Sequence, residues 1–396
     1  MSSTRRDFLK IGSMATASLL VPKLMSSSNV FGSRKNAKSV VVIQLTGGND
    51  GLNTVVPFRN DIYYRNRPRL AIRPTEVLSL NDELGFHPSL KGLHSLFGDG
   101  DLTVLNSVGY PNSNRSHFRS MDIWHTASKE NEYLNTGWIG RMMDLQQSPI
   151  PYHALEVDDT LTLALKGLKM KGLALKDPAR LHNQIQQPFL RATANSAVHN
   201  HGHDEVGYLR KTLAETAESV DYVYDKSKIY SSNVTYPQTQ LGKGLKTIAE
   251  LIVAECNTMV YYVSLGGFDT HVGQDAKHKN VLRKYDESVS AFVKDLKKNK
   301  KFDDVLILTF SEFGRRVAQN ASGGTDHGAA SNVFLMSGSL NKPGIYNKAS
   351  DLNNLDAGDI KHTLDFRNIY GTILENWLEQ PSKEILGQWF PPLPLV

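Results

Sequence analysis

Residues 38–46 read Lys-Ser-Val-Val-Val-Ile-Gln-Leu-Thr, with apolar, mostly β-branched side chains at consecutive positions. A run apolar on both faces predicts a central parallel strand covered on each side. Further buried strands are predicted over 101–107, 258–265, 305–309 and 332–336. Between them lie segments with apolar residues at helical spacing. These are 87–97, a helix that starts near Ser116 and runs through Phe118, Met121, Ile123 and Trp124, then 239–255, 277–299 and 363–378. Strands and helices alternate along the chain. That order predicts an α/β fold: a doubly wound, mostly parallel sheet with helices on both faces.

Residues 151–235 break the pattern. They carry short alternating stretches at 161–165 and 173–175, a polar histidine-rich segment and a helix near 205–225. We read them as an insertion or cap region within one domain spanning 33–396, with 1–32 set apart as a leader. His199, His201, His203 and Asp204 alternate among polar neighbours and read as a solvated loop. There are no internal repeats, and no stretch after the leader is long and apolar enough to span a bilayer.

Three predicted strands end in an acidic residue within a glycine-containing turn. Asp50 lies in Gly47-Gly48-Asn49-Asp50-Gly51, Asp269 in Gly266-Gly267-Phe268-Asp269-Thr270-His271, and Glu312 in Phe310-Ser311-Glu312-Phe313-Gly314. In a parallel sheet these ends share one edge, where α/β folds place their chemistry. Converging carboxylates repel unless a cation lies between them. With His271 and His327 close by in sequence, the mixed ligand set suits one or two divalent ions, zinc, manganese or calcium. Metal ligands are therefore expected at Asp50, Asp269, His271, Glu312 and His327. Ser116, at the start of a helix between Arg115 and His117, is the candidate nucleophile, because a helix N-terminus stabilises an anionic oxygen. His117 is a candidate proton shuttle. Arg315 is placed to orient a substrate anion, with Asn49, Arg115 and Arg316 as further substrate contacts, since a guanidinium fork matches phosphate or sulfate.

Composition narrows the class. The chain has 396 residues, 40% hydrophobic and 21% charged, which excludes disordered, collagen-like and coiled-coil proteins. Its single cysteine, Cys256, excludes an intrachain disulfide and a cysteine zinc knuckle. The net charge of +5 is concentrated at the start. Arg5 and Arg6 precede Phe8 and Leu9 and a short apolar stretch over 11–21. This resembles a bacterial twin-arginine export signal. It implies the twin-arginine export machinery as a partner and a periplasmic, cell-surface or secreted location. Without residues 1–32 the charge falls to about +2, and no basic stripe with interleaved aromatics appears, so nucleic acid is not an expected partner.

The ordered set GGNDG (47–51), RSHF (115–118), GGFDTH (266–271), TFSEFGRR (309–316) and GTDHG (324–328), behind a twin-arginine segment, resembles the DUF1501 family. That family is placed in the alkaline phosphatase/sulfatase superfamily. The resemblance implies that fold and an exported, metal-dependent hydrolase of phosphate or sulfate esters, acting on an anionic substrate such as a sulfated or phosphorylated glycan. It implies that Asp50 is the first-strand ligand, Ser116 the nucleophile, Asp269 with His271 the ligands of the other metal, and His327 the late histidine ligand. Glu312 stands where the superfamily usually keeps an Asp-His pair, so one histidine is missing, and His278 is a substitute seven residues beyond His271. Cys256 lies in Ala-Glu-Cys-Asn-Thr, which excludes a formylglycine sulfatase. The second reading is a non-catalytic, metal-containing binder of anionic cell-surface glycans.

Overall fold

The apolar run after Lys38 forms the middle of a nine-stranded sheet. The computed structural model describes residues 38–196 and 205–396. The strands are β1 (Ser39–Leu45), β2 (Leu102–Gly109), β3 (Ala154–Glu156), β4 (Leu173–Ala174), β5 (Val260–Leu265), β6 (Val305–Ser311), β7 (Ser331–Met336), β8 (Gly344–Ile345) and β9 (Leu364–Asp365). Their order is β8-β2-β7-β6-β1-β5-β3-β4, with β9 also pairing to β2. The helices used below are α1 (Lys91–Gly98), α2 (His117–Thr126), α3 (Pro178–Ile185), α4 (Pro188–Ser196), α5 (Glu205–Ser227), α6 (Gln240–Val253), α7 (Gln274–Lys298) and α8 (Phe366–Thr372).

Alternation along β1 explains why it is apolar on both faces. Val41, Ile43 and Leu45 join one core with residues of α1, α6 and α7. Val40 and Val42 join a second core with Ile123 and Trp124 of α2 and Phe366, Ile369 and Tyr370 of α8. Both faces are covered by helices, so no position on the strand meets water. Helix ends follow local chemistry. Thr239 caps α6 by accepting from Gly242 N at 3.0 Å, and Asp365 caps α8 by accepting from Arg367 N at 3.0 Å.

The sheet is mixed, mostly parallel. β1 runs parallel to β5 and β6, β3 to β4 and β5, and β2 to β8 and β9. β7 alone runs antiparallel, against both β2 and β6. No helix separates β6 from β7, and a parallel neighbour would need such a crossover. The reversal brings the N-terminal end of β7 to the edge where the other strands end. The loop preceding β7 therefore joins the loops that follow β1, β2, β5 and β6.

Residues 151–235 contribute β3 and β4 to the edge of the sheet and α3, α4 and α5 to its covering layer. The predicted helix over 363–378 starts at Phe366 and widens into a π-helical turn at Ile373–Trp377. The expected leader at 1–32 and the His199-His201-His203-Asp204 tract lie outside the described residues. No helix among the described residues is long and apolar enough to cross a membrane.

Candidate metal centre at the strand ends

Two glycines let the first turn approach its neighbours. Gly47 and Gly48 have φ of +116° and +72°, a region open to glycine. A Cβ on Gly47 would lie 2.4 Å from the Asp269 backbone nitrogen, and one on Gly48 would lie 2.3 Å from the Phe313 ring. The turn after β1 thus packs directly against the turns after β5 and β6. Phe313 in turn packs its ring against His117 and His327, with centroids 4.8 and 4.7 Å away.

Three imidazoles face one carboxylate oxygen. Asp269 Oδ1 lies 3.0 Å from His271 Nε2, 3.3 Å from His327 Nε2 and 3.6 Å from His117 Nε2. The opposite nitrogen of each ring is tied to an acceptor. His117 Nδ1 meets Glu312 Oε1 at 2.8 Å, His327 Nδ1 meets the Arg115 carbonyl at 2.8 Å, and His271 Nδ1 meets Asp326 Oδ1 at 3.2 Å. A carbonyl or carboxylate only accepts, so each Nδ1 carries a proton, and Nε2 is the nitrogen of each ring that a metal ion at the centre would take. This is the arrangement by which carboxylates and carbonyls orient metal-binding histidines.

The electrostatics follow from these contacts. The hydrogen bond from His117 to Glu312 raises the His117 pKa against the opposing effect of burial. Burial lowers that of His327. For Asp269 burial acts upward, but Arg315 and the histidines outweigh it and bring the carboxyl to about 2. The Asn320 hydrogen bond lowers Asp326.

The remaining expected site residues occupy definite places. Arg315 is fully buried, and its guanidinium is consumed internally. It donates to the carbonyls of Gly48 at 2.7 Å, Thr325 at 2.8 Å, Phe268 at 3.0 Å and Gly47, and to Asp269 Oδ1 at 2.7 Å. Glu312 is buried behind His117, accepting also from Gly47 N at 2.8 Å and Ser311 Oγ at 3.2 Å. Asp50 is buried away from the imidazoles' hydrogen bonds. Its Oδ2 accepts from Arg67 Nη1 at 2.7 Å and from Gln274 Nε2, and its Oδ1 caps the short helix Gly51–Thr54. Burial pushes its pKa up, and the Arg67 guanidinium more than reverses that. Asn49 Oδ1 accepts from Thr54 and lies 3.0 Å from His278 Nε2, whose pKa burial pushes down to about 4. Arg115 and Arg316 both meet Asp359. Ser116 is exposed at the N-terminus of α2, and its side chain makes no capping bond. Cys256 is buried and unpaired, with burial pushing its thiol up to about 11.

Sequence reasoning missed Arg67, Gln274 and Asp359. Arg67 sits in Arg65-Asn66-Arg67-Pro68, which reads as a basic surface loop. The usable signal was chemical: a buried carboxylate such as Asp50 requires a cation.

The residues fit a divalent ion. His117, Asp269 and His327 each offer a ligand atom within 4.8 Å of the others, and they are placed to hold a metal. His117 Nε2 is buried and has no hydrogen-bond partner. A buried lone pair without a donor is unfavourable on its own, and a metal ion satisfies it. Ligands bonded at about 2.0–2.1 Å to one ion sit about 3 Å apart, comparable to the separations around Asp269 Oδ1.

Solved structures similar to the chain include three with low sequence identity. The C-terminal periplasmic domain of EptC from Escherichia coli, in complex with zinc, is 13% identical, with 78% of this chain and 75% of that one covered and a TM-score of 0.40. The lipoteichoic acid synthase LtaP from Listeria monocytogenes is 12% identical over 90% and 77%, with a TM-score of 0.40. A protein in the alkaline phosphatase superfamily from Vibrio parahaemolyticus is 7% identical over 89% and 69%, with a TM-score of 0.39. No curated protein matches the chain significantly by sequence. Residues 37–387 match the profile of the family described as protein of unknown function (DUF1501), and the chain belongs to that family.

Proposed function

We propose that the protein is an exported, metal-dependent hydrolase of phosphate or sulfate esters with a serine nucleophile. The observation that carries this reading is the meeting of three oriented imidazoles at Asp269 Oδ1. His117, Asp269 and His327 hold the ion, with His271 beside them. A divalent ion bound there supplies Lewis-acid stabilisation to an ester oxygen. Glu312 orients His117, and Arg315 fixes Asp269 in place. Ser116 Oγ gives up its proton to solvent, its anionic oxygen favoured by the positive end of α2, and attacks the phosphorus or sulfur. The P–O or S–O bond to the alcohol breaks and the alcohol leaves with a proton from water. A second water then cleaves the serine ester to release phosphate or sulfate and restore Ser116. Asp50 supports the site from behind, already neutralised by Arg67. The twin arginines Arg5 and Arg6 support export.

Elemental analysis of protein purified after native export, with a panel of aryl phosphates, phosphodiesters and aryl sulfates assayed with Zn²⁺, Mn²⁺ and Ca²⁺, tests the reading. We expect bound metal that is lost in Asp269→Asn and His327→Ala, and turnover that is lost in Ser116→Ala with metal retained. Unchanged metal in the ligand variants overturns the site. Metal retained with no turnover on any ester supports instead a binder of anionic glycans.

A further inference from the structure

Beside the imidazoles, one buried carboxylate gathers two guanidiniums. Asp359 follows a tight turn, Ala357-Gly358, between the paired strands Leu355–Asp356 and Asp359–Ile360. Both turn residues have positive φ, 49° and 88°, which aims the chain back sharply. The Asp359 side chain is only 2% exposed. Arg115 donates Nε to Asp359 Oδ2 at 2.8 Å, and its Nη2 to the same oxygen. Arg316 Nε lies 3.7 Å from Oδ1, which is buried and accepts no hydrogen bond.

Asp359 is hydrogen-bonded by Arg115 alone, Asp356 and Asp326 are the further carboxylates close to the cluster, and the guanidiniums reach the surface: Arg115 is 42% and Arg316 37% exposed. Among the described residues, no hydrogen bond takes Arg115 Nη1 or either terminal nitrogen of Arg316. This separates them from Arg315, whose guanidinium nitrogens are all bonded within the protein. The pair also borders the candidate metal centre. The Arg115 carbonyl holds His327 Nδ1 at 2.8 Å, and the Arg316 backbone N–H donates to the Asp326 carbonyl at 3.0 Å. Bringing two like charges together is unfavourable unless anions join them, and the unbonded N–H groups of the two guanidiniums are open to a further anion.

We propose that Arg115 and Arg316, held together by Asp359, form an oxyanion subsite next to the imidazoles that takes a second sulfate or phosphate ester group of a polyanionic substrate. The planar guanidinium fork matches tetrahedral oxyanions. In naming a substrate, the inference rests on the function proposed above and deepens it: the substrate carries one anionic ester for the metal centre and another for the arginine pair. Asp359 is a positioning residue that touches no substrate.

Isothermal titration calorimetry on the full chain with Zn²⁺ added tests it. The probes are a sugar carrying one sulfate ester, the same sugar carrying two, and the corresponding phosphorylated pair, all at fixed ionic strength. The wild type is expected to bind the doubly esterified sugar about tenfold more tightly than the singly esterified one. The sulfated and phosphorylated arms identify which oxyanion it prefers. In Arg316→Ala, and in Arg115→Ala combined with Asp359→Asn, that preference is expected to fall below about twofold. The double variant removes both partners of the buried pair, and Arg316→Ala leaves the Asp359–Arg115 pair intact, so a folding defect in one still leaves the other as a test. An undiminished preference in the variants, or none in the wild type, overturns the subsite. Turnover is not read, so a protein that shows the preference yet hydrolyses nothing removes the proposed catalysis and leaves the subsite standing.

Discussion

His271 and His327 face each other through their Nε2 atoms at 2.9 Å, while the Nδ1 atoms of both rings are bound to oxygen acceptors. Two lone pairs at that distance repel unless a proton or a metal ion mediates between them. The acceptors that fix these rings, Asp326 and the Arg115 carbonyl, come from the loop before β7 and the loop after β2. The arrangement therefore depends on the antiparallel course of β7, which brings residues 324–328 to the same edge as the strand ends.

If Glu312 orients His117, its neutral isostere weakens metal binding without removing a ligand. Loss of such an outer partner typically lowers metal affinity by about 10–100-fold. Glu312→Gln is expected to fall in that range when titrated against a competing chelator. Wild-type affinity in this variant would remove Glu312 from the site.

Asp50 separates two readings of the first turn. Its oxygens are taken up by Arg67, Gln274 and the Asn53 backbone. Breaking a buried ion pair from one side leaves an uncompensated charge and costs about 3–5 kcal/mol. Arg67→Met is expected to destabilise the fold by that order in denaturant unfolding. Asp50→Asn is expected to lower stability while metal content stays unchanged, and a loss of metal in that variant would make Asp50 a ligand.

Glu156 sets a pH dependence of stability. It is buried on β3, and burial pushes its carboxyl up to about 8 from an ordinary 4.5. Between those values the unfolded chain has released a proton that the folded chain still holds. Stability from this group therefore falls as pH rises through the window, by at most about 1.4 kcal/mol per pH unit. Glu156→Gln stays neutral throughout. Its melting temperature relative to the wild type is expected to rise from pH 5 to pH 8, and parallel pH profiles would contradict the assignment.

Gly47 tests the packing of the strand ends. A side chain there meets the Asp269 backbone and a φ unfavourable to other residues. Gly47→Ala is expected to lose about 1–3 kcal/mol in thermal unfolding. It should also lose metal, because the turn bearing Asp269 has to move. Normal metal content in a destabilised variant would mean that the turn adapts without disturbing the ligands.

Much of this protein is legible in local pattern. The apolar run at 40–43 with Leu45 announces a strand buried on both faces, and glycine-rich turns after β1 and β5 mark where the chain bends sharply around Asp50 and Asp269. The motif set carried the family assignment. These features depend on residue type and short-range spacing, which a sequence displays directly.

The partners of each charged group were decided only by the tertiary structure. Glu312 and His117 are separated by 195 positions, yet they meet at 2.8 Å, a contact that neither local sequence announces. Arg67 lies in a loop that reads as surface, yet it neutralises Asp50 in the interior. Arg315 reads as an open anion grip, but the carbonyls of two distant turns take up its donors. Asp359 gathers Arg115 and Arg316 from distant parts of the chain. The physical reason is the same in each case. A charge or lone pair acts over a few ångströms in space, and which groups come that close is set by strand order and direction, not by position along the chain.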